Sequence, residues 1–239
     1  MDTVKINSGN VKMIAHRGAS ALERENTVAA FIAAGQRTYY GIETDVHRTK
    51  DGKFIIIHDD TTARVTDCDL CVEETSFEDL RRLAVKNLRS DTARKDLVLP
   101  TLAEYASLCR HYGKVPVLEI KNPMEKEDIA KILTILNEES VLSKTVFISF
   151  SYENLLHVRS LYPESRVQFL CSQMTKERML RMFADRFDLD IHHSGINKET
   201  VDAFHAQGLE VNVWTVDEPV QCEELFAMGV DYVTSNACE

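Results

Sequence analysis

Glu43 and Asp45 stand one residue apart in an apolar-flanked run, so on a strand both project to the same side, and Glu119 ends a second such run. Three carboxylates at one point raise one another's pKa, and a divalent cation removes that conflict. All-oxygen ligation suits hard cations, so Mg²⁺ or Ca²⁺ is expected first and Mn²⁺ next, whereas zinc would more often recruit His or Cys. A plainer reading makes Glu43 and Glu119 ion-pair partners of Arg17 and Lys121. Two histidines weigh against it. His16 ends the first apolar run, and Asp51-Gly52 between two β-type runs is a hairpin signal. If those two residues form the loop, Lys50 pairs with Lys53 and Asp45 lies opposite His58, with Glu43 two residues back on the same face. Paired imidazoles suit general acid and general base near neutral pH, and Arg17 and Lys121 supply donors for non-bridging phosphate oxygens. The sum of these parts is a phosphoryl-transfer site.

Such residues need a scaffold that brings strand ends together. Short β-branched runs alternate with helical patterns, predicting strands over Val11–Ala15, Gly41–Asp45, Val115–Ile120, Val146–Phe150, Val167–Cys171, Leu189–His192, Glu210–Trp214 and Asp231–Thr234. Helices are predicted over Thr27–Arg37, Leu102–Tyr112, Lys126–Glu139, Tyr152–Leu161, Lys176–Arg186, Lys198–Gln207 and Glu218–Met228. Thr101 with Glu104 forms a capping box, Asn26, Thr175 and Asn197 are N-cap candidates, and Gly113, Gly208 and Gly229 end helices. Eight strands alternating with helices fit an α/β fold, the (β/α)₈ TIM barrel, better than an open doubly wound sheet. The pattern stops at the eighth strand, so the last helix is missing or replaced. Polar, poorly periodic residues 59–100 read as an insertion after the second strand, helical around Ser76–Ala84, within a single catalytic domain over residues 1–239.

The 239 residues are 44% hydrophobic, enough for one large core, and the formal net charge of −10 argues against nucleic acid as a partner. A small anionic substrate remains compatible, because a few placed cations or a metal can dominate the local field. The first ten residues carry no basic stretch followed by an apolar run, and no segment reaches about 18 apolar residues, so a cytoplasmic protein without stable membrane insertion is expected. Six scattered cysteines do not form a disulfide framework, and reduced thiols are expected.

The motifs IAHRGAS (14–20), RENT (24–27), IETDVHRTKDGKFIIIHD (42–59), LEIK (118–121), VNVWTVD (211–217) and GVDYVTSN (229–236) occur in this order, and the chain resembles the glycerophosphodiester phosphodiesterase family along almost its whole length. The resemblance implies a phosphodiesterase-type TIM barrel that hydrolyses deacylated phospholipids, such as glycerophosphocholine or glycerophosphoethanolamine, to sn-glycerol 3-phosphate and an alcohol. It carries the family's catalytic pair onto His16 and His58, its metal ligands onto Glu43, Asp45 and Glu119, its phosphate-contacting cations onto Arg17 and Lys121, and the aromatic near the glycerol onto Trp214. Arg24, Arg48 and Ser235-Asn236-Ala237 depart from the family pattern without touching that set. The expected mechanism has His58 protonate the leaving alcohol and His16 activate water or the adjacent glycerol hydroxyl, although the two histidine roles are interchangeable at this level.

Other candidates carry less. Glu25 is expected to support a rim cation, with direct metal ligation as its alternative, and Cys68 and Cys71 read as ordinary thiols. His192 is a candidate substrate contact, and His47, His111, His157 and His205 read as surface or packing residues. Two further functions compete: a phosphodiesterase acting on lysophospholipid, and an idle barrel that binds a phosphorylated metabolite. The charged insertion favours a small soluble substrate over a lipid, and the complete parts list disfavours the idle barrel.

Overall fold

Residues 2–90 and 92–239 are described in the computed structural model. In chain order the elements are β1 (Lys12–Ala15), α1 (Val28–Gly35), β2 (Gly41–Arg48), β3 (Phe54–Ile56), α2 (Phe77–Arg81), β4 (Ala84–Lys86), β5 (Ala93–Val98), α3 (Leu102–Tyr112), β6 (Val115–Ile120), α4 (Lys126–Glu138), β7 (Val146–Ser149), α5 (Tyr152–Leu161), β8 (Arg166–Cys171), α6 (Lys176–Asp185), β9 (Asp188–His192), α7 (Lys198–Ala206), β10 (Val211–Trp214), α8 (Pro219–Met228) and β11 (Tyr232–Ser235).

Strands β1, β2 and β6 to β11 pair in parallel, and the pairing of β1 with both β2 and β11 closes them into an eight-stranded barrel. The fold is the expected TIM barrel. Two apolar layers hold it. Ile14, Val117, Val146, Ile148, Leu170 and Tyr232 fill the lumen, while the opposite strand faces send residues such as Leu118, Phe147 and Val213 outward against the helices. Burying each such side chain contributes about 1.5–3 kcal/mol. Among the described residues no helix follows β11; instead the segment after it pairs with the N-terminal arm through Val4 and Cys238.

The helix ends follow their local chemistry. Thr101 and Glu104 form the full capping box of α3, Thr175 and Asn197 cap α6 and α7, and Gly113 and Gly229 close α3 and α8 in the left-handed conformation. One cap differs from expectation. Thr27, not Asn26, caps α1 by accepting from the Ala30 amide. Asn26 has φ +54° and is buried, because both ends of its amide are engaged at the active-site end of the barrel.

The hairpin also departs from the expected register. Val46 pairs with Ile56 and Arg48 with Phe54, and the Thr49 amide donates to the Lys53 carbonyl while the Lys53 amide donates to the Thr49 hydroxyl, around a three-residue loop, Lys50 to Gly52. Gly52 takes φ +73°, so the Asp-Gly signal marks a three-residue turn rather than a two-residue one. Ile57, not His58, therefore lies opposite Asp45. His58 nonetheless reaches the strand ends, because the ladder stops at Ile56 and the chain bends across residues 58–60.

Residues 59–100 contain more order than their sequence suggests. Besides α2, they form the antiparallel pair β4 and β5, and Val65, Val72, Leu80, Val85, Leu97 and Leu99 pack with Ile55 and Ile57 in a small apolar cluster of their own.

Candidate active site

The three carboxylates converge. Glu43 and Asp45 on β2 and Glu119 at the end of β6, adjacent through the register Asp45 to Glu119, each offer a ligand oxygen, and these oxygens lie within 4.8 Å of one another. All three are buried, Asp45 completely. Burial and Asp45 push Glu43 well up, and push Glu119 up to about 7. Burial would also raise Asp45, but Arg17, Lys121 and His58 outweigh it and hold its carboxyl at about 2. The Asp45 Oδ1 atom is buried without a hydrogen-bond donor among the described residues. Hard oxygen donors, mutual repulsion and a buried carboxylate oxygen whose cationic neighbour, Lys121 Nζ, stands off at 3.5 Å all fit a divalent cation.

Around this cluster the backbone is shaped to bring donors inward. Arg17 takes φ +54° and Gly18 φ +81° after β1, and a Cβ on Gly18 would lie 2.7 Å from the Ala30 carbonyl carbon, so only glycine fits. The turn points the Arg17 amide at Glu43 Oε2 (2.8 Å) and its guanidinium at Asp45 Oδ2 (3.5 Å) and Glu25 Oε1 (2.8 Å). Asn26 donates from Nδ2 to Asp45 Oδ2 at 2.8 Å while accepting from the Thr44 hydroxyl, which fixes that carboxylate. Lys121 reaches Glu119 at 2.8 Å and Asp45 at 3.5 Å.

The two histidines are supported differently. His16 Nδ1 lies 2.8 Å from Asn236 Oδ1, and the Asn236 amide nitrogen donates to Asp217 at 2.7 Å. A carboxylate only accepts, so the Asn236 oxygen must face the imidazole, Nδ1 carries the proton and Nε2 keeps its lone pair. Burial and the neighbouring Arg17 charge depress His16 to about 4. His58 Nδ1 instead pairs with the Asp59 carboxylate at 2.6 Å. Burial lowers its pKa, while Asp45 and Asp59 pull it back up. Asp59 and Glu25 are both clamped by Arg64, at 2.6 Å and 2.7 Å, so a row of ion pairs runs from Arg17 through Glu25, Arg64 and Asp59 to His58.

His16, Arg17, Glu43, His58 and Glu119 line one cleft whose far wall includes Ile148, Leu170, Asp190 and Trp214. Trp214 stands edge-on to Phe150 and to His192. A second cleft, bordered by Asp59, Asp60, Lys121 and Asn122, meets the first at His58, Glu119 and Phe150. The structure thus gathers all eight residues singled out in the sequence at one barrel mouth. It adds four that sequence reasoning did not place there, namely Asn236, Arg64, Asp190 and Phe150. Register offered a signal for Asn236, since Ala15 pairs with Ser235 and the next residues are His16 and Asn236.

Residues 16–239 match the model of the glycerophosphoryl diester phosphodiesterase family. A glycerophosphodiester phosphodiesterase of Caldanaerobacter subterraneus is 30% identical over 232 residues, covering 94% of this chain and 93% of its own. An Oleispira antarctica phosphodiesterase, solved with the product sn-glycerol 3-phosphate, superposes with a TM-score of 0.87 at 29% identity, covering 98% of this chain and 96% of that one. At 22% identity, the Thermotoga maritima glycerophosphodiester phosphodiesterase shares the fold with a TM-score of 0.76 over 95% of each chain. With barrel, carboxylate cluster and family model in agreement, the chain belongs to the glycerophosphoryl diester phosphodiesterase family and is a phosphoric diester hydrolase.

Proposed function

We propose that the protein hydrolyses water-soluble glycerophosphodiesters, such as glycerophosphocholine or glycerophosphoethanolamine, to sn-glycerol 3-phosphate and a free alcohol, using one divalent cation and two histidines. The observation that carries this reading is the meeting of Glu43, Asp45 and Glu119 with His16 and His58 in one cleft.

Glu43, Asp45 and Glu119 would hold the cation, Mg²⁺ or Ca²⁺ first and Mn²⁺ next, which supplies positive charge against the phosphate oxygens. Arg17 and Lys121 orient the phosphate from two sides with charge-assisted donors. His16, neutral and with a free Nε2, takes the proton of the nucleophile. His58, held by a carboxylate that favours the charged imidazole, gives a proton to the departing alcohol oxygen. Water and the adjacent glycerol hydroxyl both suit this arrangement as nucleophile, the second passing through a cyclic phosphate. Trp214 is the aromatic beside the glycerol.

Soluble substrates are favoured because Asp59, Asp60, Arg64, Lys121 and Asn122 border the mouth, where a lipid would need a broad apolar rim. Residues 59–100 belong to the same catalytic unit, since Arg64 braces His58 through Asp59. The test is release of sn-glycerol 3-phosphate from a panel of glycerophosphodiesters after chelation and then with Mg²⁺, Ca²⁺ or Mn²⁺ restored. Turnover lost with chelator and regained with one cation is expected; cleavage that persists at full rate in chelator would sink the metal assignment, and no cleavage with any cation would sink the substrate class.

A further inference from the structure

Asp190 has no part in the chemistry above, yet it lines the same cleft from β9 with only 1% of its surface exposed. Its Oδ1 is buried with no hydrogen-bond donor among the described residues. Its flanking strands do not supply one. Asp190 lies in register with Leu170 on one side and Asn212 on the other, and the Asn212 amide nitrogen donates instead to Gln168 Oε1 at 3.1 Å while its oxygen accepts from the Thr234 hydroxyl at 3.2 Å. Nor does Asp190 belong to the carboxylate cluster that would hold a cation.

A buried carboxyl left without partners is costly and rare, so its retention needs a reason. A second orphan shares the wall: the Trp214 Nε1–H is buried and has no acceptor among the described residues. Ile148, Phe150 and Leu170 supply apolar surface there, beside the hydroxyls of Thr215 and Thr234. Apolar faces with one free acceptor and one free donor complement a short polyol, whose C–H edges pack on hydrocarbon while its hydroxyls both donate and accept.

We propose that Asp190 selects the glycerol end of the diester, its carboxyl accepting the hydrogen bond of the terminal hydroxyl while the Trp214 indole N–H donates to a glycerol oxygen. The inference rests on the glycerophosphodiester reading and makes Asp190 a specificity-determining residue. A site built around a substrate hydroxyl discriminates strongly against the analogue lacking it, because its own polar group is then left unpaired.

The test uses the full chain with the activating cation and reads binding by calorimetry, which does not depend on turnover. Two ligands are compared, sn-glycerol 3-phosphate and propane-1,2-diol 1-phosphate, which lacks the terminal hydroxyl. Wild type is expected to prefer the first by about ten-fold or more, Asp190→Ala to bring the ratio near one, and Asp190→Asn to fall between. Turnover of bis(4-nitrophenyl) phosphate, which has no glycerol, should fall less in both variants than turnover of glycerophosphocholine. Thermal stability should be unchanged or raised, since an unpaired buried carboxyl has been removed. A ratio unchanged in Asp190→Ala, or parallel loss of aryl-diester turnover and stability, would overturn the assignment. Wild type that prefers glycerol 3-phosphate but cleaves no glycerophosphodiester would refute the proposed activity while leaving the role of Asp190 intact.

Discussion

His16 leans on an amide and sits beside Arg17, whereas His58 leans on a carboxylate, and on this difference rests the proposed division of two imidazoles into a proton acceptor and a proton donor. The assignment makes a specific prediction. His58→Ala should lower kcat on glycerophosphocholine by about 10²–10⁴-fold but spare most activity on a 4-nitrophenyl ester, whose leaving group departs without a proton. Equal losses on the two substrates, measured at saturating cation, would count against His58 as the acid. At this scale the chemistry was legible because strand ends are recognisable and carboxylates, histidines and cations at those ends are few. The supporting residues were not. Asn236 reaches His16 across 220 residues and Arg64 reaches Glu25 across 39, and Asp190 looks like any polar residue in the middle of a strand until its burial is known.

Secondary-structure elements position those side chains, and most were readable from caps and periodicity. The alternation of β-branched runs with capped helices marks every barrel strand. Two local features misled for a physical reason. The Asp-Gly pair was consistent with either a two- or a three-residue loop, and the longer one shifts the ladder by a residue, which inverts the facing of every side chain beyond it. His58 escapes that inversion only because the chain leaves the ladder before reaching it. In β5 the run Ala-Arg-Lys-Asp-Leu-Val buries little more than Leu97, so charge hides its strand character. The α3 capping box reaches beyond its own helix, because Glu104 also receives both Arg81 guanidinium nitrogens, at 2.9 and 2.8 Å, from the segment that follows α2's start. Thr101→Ala should cost about 1 kcal/mol, a fall in Tm of roughly 2–4 °C for a chain of this size, with kcat unchanged; calorimetric melting and a kinetic assay check both.

For the molecule as a whole, the buried acids tie stability to pH. Glu119 is raised to about 7 from 4.5 by burial and Asp45, so its stabilising contribution is present below pH 4.5 and is lost as pH rises through 7. His16 runs the other way: lowered to about 4 from 6.5, its contribution is present above pH 6.5 and is lost as pH falls toward 4. A divalent cation relieves the first loss and not the second. The gap in Tm between cation-loaded and chelated protein should therefore widen from pH 5 to pH 8, reaching roughly 5–10 °C at about a hundred-fold excess over Kd. A gap that is flat across this range would contradict a cation held by these carboxylates. The row of ion pairs from Arg17 to His58 carries one more consequence. Its charges alternate in sign, and its middle member, Arg64, comes from residues 59–100 rather than from the barrel. If His58 is the proton donor, as proposed, a chain trimmed of that segment would lose the brace on it even where its three acids and both imidazoles survive, and the smallest closed barrel would fall short of the smallest competent enzyme.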